Sequence, residues 1–384
     1  PYLVTNATEK NTIVFSANPA YWNAENITMK TITWLYNDGE DALKAYNDTI
    51  AGTIDGAGLN ASAVEAAKTY GTEITLVGRG EEILEVLRKN GIENLPEGME
   101  IANADDVVDM HDDPAKVIHK RKDSSMVVGL KLLADGEGDA FVSAGNPGAL
   151  HAGSSLIIRP IKGIHRPAIA TVLPLARPVL LLDSGANPNV TPEYLVQWAV
   201  MGSIYMKNIF GIRQPSVGLL NNGAEEHKGT PVVVEAHKLL KASDDIFFVG
   251  NVEGNQVMSS VCDVLVTDGF TGNITLKMLE GMGKFFMSTL KGMYKKNFLT
   301  QLSAAAVKDQ LMGLKKQFDA SEHGGAPLLG LSKPVIKAHG SSDAQAICNA
   351  VRQAASFVKT GVIAEITEYV ENEIPAPAAK GDTQ

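Results

Sequence analysis

The sequence predicts an α/β fold in which a mostly parallel sheet carries helices on both faces, giving three layers. From about residue 65 onward, short apolar strands alternate with helical segments, and this alternation favours parallel strand–helix–strand units. Such strands are apolar along their length because helices cover both faces of the sheet. Five of them end in glycine, asparagine, aspartate or serine before a helix start, which indicates a ligand site at the sheet edge.

The individual elements follow from short runs of sequence. Residues 73–77 are predicted to form a strand, and the amphipathic helix predicted over 81–90 ends at Gly91, a usual residue beyond a helix terminus. A further helical run is predicted from Ile274. The five strands with polar ends are predicted at 139–142 before SAGNPGAL, 179–182 before DSGANPN, 217–220 before NNGAEEHKG, 247–249 before GNVEG and 264–267 before DGFTGN.

The bulk composition indicates a soluble globular protein of one large or two modest domains. The chain has 384 residues, 45% of them hydrophobic, and its net charge of −10 argues against broad binding to nucleic acid. Cys262 and Cys348 are the only cysteines and lack metal-ligand spacing, so a reducing compartment without disulfides is expected. No apolar run reaches the roughly 18 residues of a spanning helix, and no signal peptide is visible from Pro1 onward.

The glycine-rich polar turns predict an anion-binding site. Glycine allows a ligand to approach the backbone closely, and free N–H groups at a helix start attract anions. The chain lacks the Walker A and dinucleotide-binding motifs, so a small anion such as phosphate is favoured over a nucleotide. The alternative interpretation is that these turns only cap helices, which is less common for five turns together than for one.

Lys228 is the most informative residue of these turns. It lies between glycines after a strand, where its ammonium could hold phosphate as a point charge; an ion pair with Glu225 or Glu226 is the alternative. A G-x-S-x-G elbow is absent, and the Ser-Ser-Asp run near the C-terminus is also an ordinary N-cap. The other polar residues near the turns are Ser143, Asn146, Asp183, Asn187, Asn222, Asn251, Glu253, Asp268 and Asn273, with Lys337, His339, Ser341, Ser342 and Asp343 near the C-terminus.

A basic segment follows, over residues 277–316. It holds eight lysines against two acids, a net charge of +6, with apolar residues interleaved, and it predicts two amphipathic helices that form a hairpin over about 277–318. An apolar tip with basic flanks suits an anionic membrane surface or an acidic partner protein, whereas a helical pair that packs a dimer is the alternative. The residues assigned to this surface are Lys291, Lys295, Lys296, Phe298, Leu299 and Leu302.

From about residue 64 to 372 the chain resembles the bacterial phosphate acyltransferases of phospholipid synthesis, the PlsX family. The matching stretches stand in the family's order and spacing: SAGNPGAL, RPAIA, LLDSGAN, VQWAVMGSIY, GLLNNGAEEHKG, FVGNVEG, VTDGFTGN, GGAPLLG and IKAHGSSDA. The resemblance implies transfer of an acyl chain from acyl carrier protein to inorganic phosphate, giving acyl phosphate. It also implies a fold like that of phosphotransacetylases and isocitrate-type dehydrogenases, a homodimer, peripheral contact with the inner face of the cell membrane, and no metal or nucleotide cofactor.

The same resemblance implies roles for individual residues. Lys228 would hold phosphate or the acyl-phosphate product, and Asn273 would donate to the reacting oxygens. A phosphotransacetylase-like enzyme that uses acyl-coenzyme A, and an inactive fusion or peptide-binding fragment, are the alternatives. The residues assigned to substrate or phosphate binding are Ser143, Asn146, Gly148, Asn187, Asn222, Glu226, Asn251, Glu253, Asp268, His339, Ser341 and Asp343.

The chain departs from the family pattern at three places. Pro147 replaces a residue with a backbone donor and a hydroxyl, and Asn255 stands where a charged side chain is usual. The family's first strand, which ends in Asp-Ala-Met-Gly-Gly-Asp, is missing. Residues 1–60 instead resemble a fragment of a peptide-binding protein of an ABC transporter, so we expect a join near 57–68, an enzyme domain over 61–372 and a flexible tail over 373–384.

Overall fold

The computed structural model describes residues 72–173, 175–297, 325–338 and 344–373, together with positions 300, 303, 307, 310 and 342 and three strands within the first 35 residues. The chain divides into two compact units, Pro1–Gly58 and Leu59–Gln384.

The first unit contains a three-stranded antiparallel sheet. Its strands are β1 (Tyr2–Thr8), β2 (Thr12–Ala17) and β3 (Thr31–Leu35), in the order β1-β2-β3. The sequence pattern at 12–16 and at 32–35 predicts a strand in each place, and the structure confirms both; they are rich in β-branched and aromatic residues, which favour strands. The sequence also predicts a helix over 40–49, and this segment lies outside the described residues.

The second unit is an α/β fold, as the sequence predicts. Its strands are β4 (Ile74–Gly78), β5 (Met99–Asn103), β6 (Phe141–Ser143), β7 (Ala168–Leu173), β8 (Val179–Leu182), β9 (Ser216–Asn221), β10 (Phe247–Glu253), β11 (Val264–Val266), β12 (Ala326–Leu329) and β13 (Val335–Lys337). Its helices are α1 (Gly80–Lys89), α2 (Pro114–Lys120), α3 (Ser125–Asp135), α4 (Pro147–Ile157), α5 (Pro192–Phe210), α6 (Pro231–Ala242), α7 (Gly269–Tyr294), α8 (Ala344–Lys359) and α9 (Val362–Glu373).

Eight strands form one mixed sheet in the order β10-β9-β11-β8-β7-β12-β13-β6, and β4 pairs separately with β5. The pairs β10·β9, β9·β11, β11·β8 and β13·β6 are parallel, whereas β8·β7, β7·β12 and β12·β13 are antiparallel. The carboxyl ends of β8, β9, β10 and β11 therefore share one edge of the sheet. The strands β6 and β13 run in the opposite direction. Four of the five polar turns therefore lie at the same end of the sheet, and the turn after β6 does not.

Alternate residues of the central strands enter separate cores. Leu180, Leu182, Val264 and Val266 pack with the buried helix α5, including Trp198, whereas Leu181 and Leu265 pack on the opposite face with Leu220 and Val252. Both faces of these strands are thus covered, which explains why their sequence is apolar without alternation. The run at 179–182 was predictable for this reason.

Two predicted boundaries differ from the observed ones by more than two residues. The strand predicted to stop at residue 249 continues to Glu253, with a register shift beside Gly250, whose φ is +98°. Helix α7 begins at Gly269 rather than Ile274, because Asp268 caps it and residues 269–273 already form its first turns. The turns GNVEG and DGFTGN are therefore largely strand and helix.

Candidate active site

The loop after β8 is organised by the carboxylate of Asp183. This side chain is fully buried and accepts hydrogen bonds from five N–H groups: the backbone of Ile169, Gly185, Ala186 and Asn187, and Nδ2 of Asn187, at 2.6–3.1 Å. A carboxylate satisfied in this way holds the backbone around it in one conformation. The loop is therefore a rigid platform against which α7 can be placed.

The two glycines at the start of α7 pack directly on this platform. A Cβ on Gly272 would lie 1.9 Å from the carbonyl oxygen of Asp183, and one on Gly269 would lie 2.7 Å from the backbone nitrogen of Asn187. The N–H of Gly269 also donates to the carbonyl of Asn187 at 2.8 Å. Only glycine permits this approach, which accounts for both glycines of DGFTGN.

The N–H groups at the start of α7 are largely occupied. Gly269 donates to Asn187, Thr271 donates to Oδ1 of Asp268 at 2.9 Å, and Gly272 donates to the carbonyl of Asp268 at 2.9 Å. The expectation that free N–H groups in this turn attract an anion is wrong for these three. An anion near α7 must be held mainly by side chains.

Asn273 has a side chain that is free to meet a ligand. It is exposed on the second turn of α7, beside the platform loop, where a Cβ on Gly185 would lie 3.5 Å from its Cβ. Its amide has no hydrogen-bond partner in the part of the chain that the structure describes. The neighbouring Asp268, in contrast, uses both carboxylate oxygens to cap Thr271.

Lys228 lies on a loop that is tied to β9. Its carbonyl accepts a hydrogen bond from Nδ2 of Asn221 at 2.9 Å, and its N–H donates to the carbonyl of Glu225 at 3.0 Å. Its side chain is exposed. Glu226 pairs with Lys241 at 2.5 Å, and this hydrogen bond lowers the pKa of Glu226. The alternative of an ion pair with Glu225 or Glu226 is wrong, because no ion pair of Lys228 is present within the described ranges.

Asn251 ties the same loop to β10. Its Nδ2 donates to the carbonyl of Glu225 at 2.9 Å, and its Oδ1 lies 3.0 Å from Nδ1 of His237. The amide is therefore engaged within the protein.

Glu253, two residues further along β10, donates its N–H to Oε1 of Gln256 and remains partly exposed. The exposed Asn222 donates its N–H to Oδ1 of Asn221.

The turn SAGNPGAL is built from internal contacts. Asn146 is the N-cap of α4, accepting from the N–H of Ala149 at 3.0 Å, while its Nδ2 donates to the carbonyls of Asp109 and Met110 at 3.1 Å each. Ser143 accepts from the N–H of Gly145. Gly148 packs against Pro114, whose Cγ would lie 2.7 Å from an added Cβ. These contacts give each residue a structural task.

The sheet order brings most of the predicted residues together. The ends of β10, β9, β11 and β8 are neighbours about 4.8 Å apart, so Asn251, the Lys228 loop, Asn273 and the Asn187 loop line one edge. The side chain of Asn187 itself bonds Asp183 and the carbonyl of Pro167. The turn after β6 follows a strand of opposite direction and is not gathered with them by the topology.

Lys337 is a charged residue that interacts electrostatically with Asp183 and with α7. The sequence analysis assigned it no role. It ends β13 as the partner of Ser143, and it is partly buried. Burial lowers the pKa of its ammonium, with a smaller effect of Lys277 in the same direction and opposing effects of Glu280 and Asp183. Its place in the stretch IKAHGSSDA, among the polar residues near the C-terminus, was the available sequence signal.

Several assigned residues lie outside the described part of the chain: Phe298, Leu299, Leu302, His339, Ser341 and Asp343. Most of the return arm of the predicted hairpin is also outside it, apart from positions 300, 303, 307 and 310. Lys291, Lys295 and Lys296 are exposed at the end of α7. No group of three or more histidine, cysteine or acidic side chains within the described ranges could hold a metal ion. The helices described there are all too short or too polar to span a bilayer.

The fold of the protein is similar to that of a solved enzyme structure. A phosphotransacetylase from Streptococcus pyogenes aligns over 79% of this chain and 91% of its own, with a TM-score of 0.56 and 18% identity. The shared fold is thus the α/β fold of phosphotransacetylases, as predicted.

Sequence comparison then gives the family. The model of the fatty acid synthesis protein family matches residues 48–365. The phosphate acyltransferase of Thermoanaerobacter pseudethanolicus is 45% identical over 312 residues, covering 81% of this chain and 92% of that protein. The one from Caldanaerobacter subterraneus subsp. tengcongensis is 46% identical over 300 residues, covering 78% and 88%. The chain belongs to this family of enzymes, and the resemblance stated above is confirmed.

Proposed function

We propose that the chain transfers an acyl group from acyl carrier protein to inorganic phosphate and releases acyl phosphate for phospholipid synthesis. The observation that carries this proposal is the exposed Lys228 ammonium, which forms no ion pair within the described ranges, on a loop fixed by hydrogen bonds from β9 and β10. A fixed, uncompensated cation at a sheet edge suits a small anion. Family membership, with relatives named phosphate acyltransferase, supports phosphate as that anion.

The chemistry needs positioning more than a protein nucleophile. An oxygen of hydrogen phosphate attacks the thioester carbonyl, a C–O bond forms and the C–S bond breaks. The thiolate of the carrier leaves and takes up the proton that the phosphate gives up. Lys228 holds the phosphate in line with the carbonyl, which accounts for rate acceleration through proximity. Asn273, whose amide has no hydrogen-bond partner among the described residues, donates to the oxyanion that develops on the carbonyl. The thiolate is a good leaving group because a free thiol has a pKa of about 8.5.

The exposed side of α7 supports a partner surface. Lys277, Lys284 and Lys291 recur every seven residues and so share one side of the helix, with exposed Phe270, Met278, Met282 and Phe285 on the neighbouring side. Acyl carrier protein is acidic and fits the lysines. The apolar side fits a second copy of the chain or an anionic membrane, and we propose a cytoplasmic homodimer in peripheral contact with the inner face of the cell membrane.

The test is the formation of acyl phosphate from acyl-acyl carrier protein and phosphate. Lys228→Ala should lower kcat/KM about a hundredfold or more, because it removes the phosphate-holding charge. Lys238→Ala is the matched control, since that exposed lysine lies on α6 and pairs with Glu235. An acyl-coenzyme A arm distinguishes the phosphotransacetylase alternative. Absence of phosphate-dependent turnover from a folded chain with either donor would contradict the proposal.

A further inference from the structure

A buried histidine stands behind the loop that carries Lys228. His237 lies on α6, is 4% exposed, and places Nδ1 3.0 Å from Oδ1 of Asn251. Its ring meets Phe248 edge-on, with centroids 5.0 Å apart and planes at 78°. We infer that His237 is a positioning residue for Lys228, acting through the amide of Asn251. The inference rests on the proposed function of Lys228.

The contacts form one continuous chain of hydrogen bonds. Nδ2 of Asn251 donates to the carbonyl of Glu225 at 2.9 Å, and this same carbonyl accepts the N–H of Lys228 at 3.0 Å. The carbonyl of Glu225 is therefore the point at which the lysine loop is held to β10. After a loss of the Asn251 bond, the described contacts that still hold the loop would be the Asn221 bond from β9 and the exposed ion pair of Glu226 with Lys241, and neither of them would fix the carbonyl of Glu225.

The bond to Glu225 depends on which way the Asn251 amide points. A flipped amide would turn Oδ1 toward the carbonyl of Glu225, and two acceptors would then face each other. Since Oδ1 faces His237, the histidine must donate from Nδ1, and it does so in the Nδ1–H tautomer or as the imidazolium. The flipped amide would bring Nδ2–H against that donor. His237 therefore stabilises the one orientation of Asn251 that holds the lysine loop.

Two amide substitutions can distinguish a histidine that only fills space from one that positions Asn251. They differ in where the side-chain N–H donor lies. In His237→Asn the amide nitrogen can occupy the place of Nδ1, whereas in His237→Gln it reaches the place of Nε2. Both substitutes are neutral amides, and glutamine is closer to histidine in volume. If only packing or burial mattered, glutamine would be tolerated as well as asparagine.

The experiment measures kcat and KM for phosphate, with thermal unfolding, for the full-length wild type, both amide variants, His237→Leu and Lys228→Ala. We expect His237→Asn to stay within about threefold of the wild type in kcat/KM. We expect His237→Gln and His237→Leu to lose about tenfold to a hundredfold, mainly through KM for phosphate, because the lysine is misplaced rather than removed. Amide hydrogen exchange at Lys228 should be faster in these two variants than in His237→Asn.

The outcomes separate the inference from the proposed function. If the wild type lacks turnover, or Lys228→Ala retains it, the proposed function fails. If Lys228→Ala is inactive but His237→Gln and His237→Leu match the wild type, the positioning role is overturned. The role is also overturned if asparagine and glutamine variants lose activity equally. If the leucine variant does not fold, the comparison of the two amides and the exchange at Lys228 decide the question alone.

Discussion

Gly272 of α7 lies against the backbone of Asp183 so closely that an added Cβ would be 1.9 Å from the carbonyl oxygen. This contact joins the helix that carries Asn273 to the loop fixed by the buried carboxylate. The backbone packing of Gly272 thus sets the position of the adjacent Asn273. Two substitutions test this arrangement from its two sides.

Gly272→Ala should displace the start of α7 and lower the thermal stability by several degrees, because neither backbone can yield without disrupting the loop. The loss of acyl-phosphate formation should be larger than the loss of folded protein accounts for, since Asn273 moves with the helix. Gly281→Ala is the matched control: its added Cβ meets nothing within 4 Å, and alanine in a helix interior stabilises by about 0.5–1 kcal/mol. Thermal unfolding and acyl-phosphate assays check both. Equal behaviour of the two variants would contradict the packing argument.

Asp183→Asn tests the loop side of the same contact. An amide replaces one acceptor oxygen by a donor, so some of the five N–H groups that face the carboxylate lose their partner. We expect a cost of about 3 kcal/mol, measured by denaturant unfolding. Asp263→Asn is the control, since its Oδ2 alone accepts from the N–H and Oγ of Ser216, and the remaining amide oxygen can serve both. Its cost should be about 1 kcal/mol. A reversed order of the two costs would refute the assignment.

The fold was predictable from sequence where one physical signal dominated. The run at 179–182 is apolar on both faces because both faces are buried, and its bounds were predicted as observed. The start of α7 was missed because Asp268 caps it while two glycines occupy its first turns, and glycine usually indicates a loop. The direction of β6 and β13 depends on the antiparallel pairing of β12, which leaves no local signal in the sequence.

The sequence predicted that several polar turns lie together at the carboxyl ends of the strands, but it did not predict the structural contacts of their side chains. Asn146, Asn187 and Asn251 were assigned to ligand binding because they lie in the polar turns whose motifs resemble those of the family. Their hydrogen bonds show that each amide holds a loop or a helix start. His237 gave no signal at all, since it resembles an ordinary residue of an amphipathic helix, and its partner Asn251 is 14 residues away.

Lys337→Met should raise the stability at neutral pH. Burial lowers the pKa of Lys337, so the folded state binds fewer protons than the unfolded state between that lowered pKa and the ordinary value of about 10.4. Stability of the wild type therefore rises with pH across this window, and below it the fold bears the full cost of a buried charge. The variant escapes this cost, and its unfolding temperature should exceed that of the wild type by about 1–3 °C at pH 7.

The same difference should shrink as the pH approaches 10, where the wild-type lysine loses its proton in the folded state. Differential scanning calorimetry from pH 6 to 10 measures the difference in unfolding temperature between the variant and the wild type. Lys162→Met is the control, because Lys162 is exposed. A stability difference for Lys337→Met that grows with pH would show that the ammonium is stabilised in the fold rather than penalised.

The lysines at the end of α7 should govern the carrier-protein substrate and not phosphate. Replacing Lys291, Lys295 and Lys296 together by alanine removes three exposed positive charges, and we expect KM for acyl-acyl carrier protein to rise about tenfold at low salt. KM for phosphate should stay unchanged, because Lys228 belongs to a different loop. Raising the ionic strength should weaken the wild type toward the variant, since exposed charges more than about 8 Å apart are screened at physiological salt.

The control for this triple variant removes the same charge elsewhere on the surface. Lys89, Lys116 and Lys238 are exposed and each pairs with an acid one turn away on its own helix or loop, so their triple alanine variant should keep the wild-type KM for the carrier protein. If both triple variants raise this KM equally, net charge alone steers the carrier, and α7 is not its docking surface. If only the α7 variant does so, and salt abolishes the difference, the carrier binds along the lysines of α7.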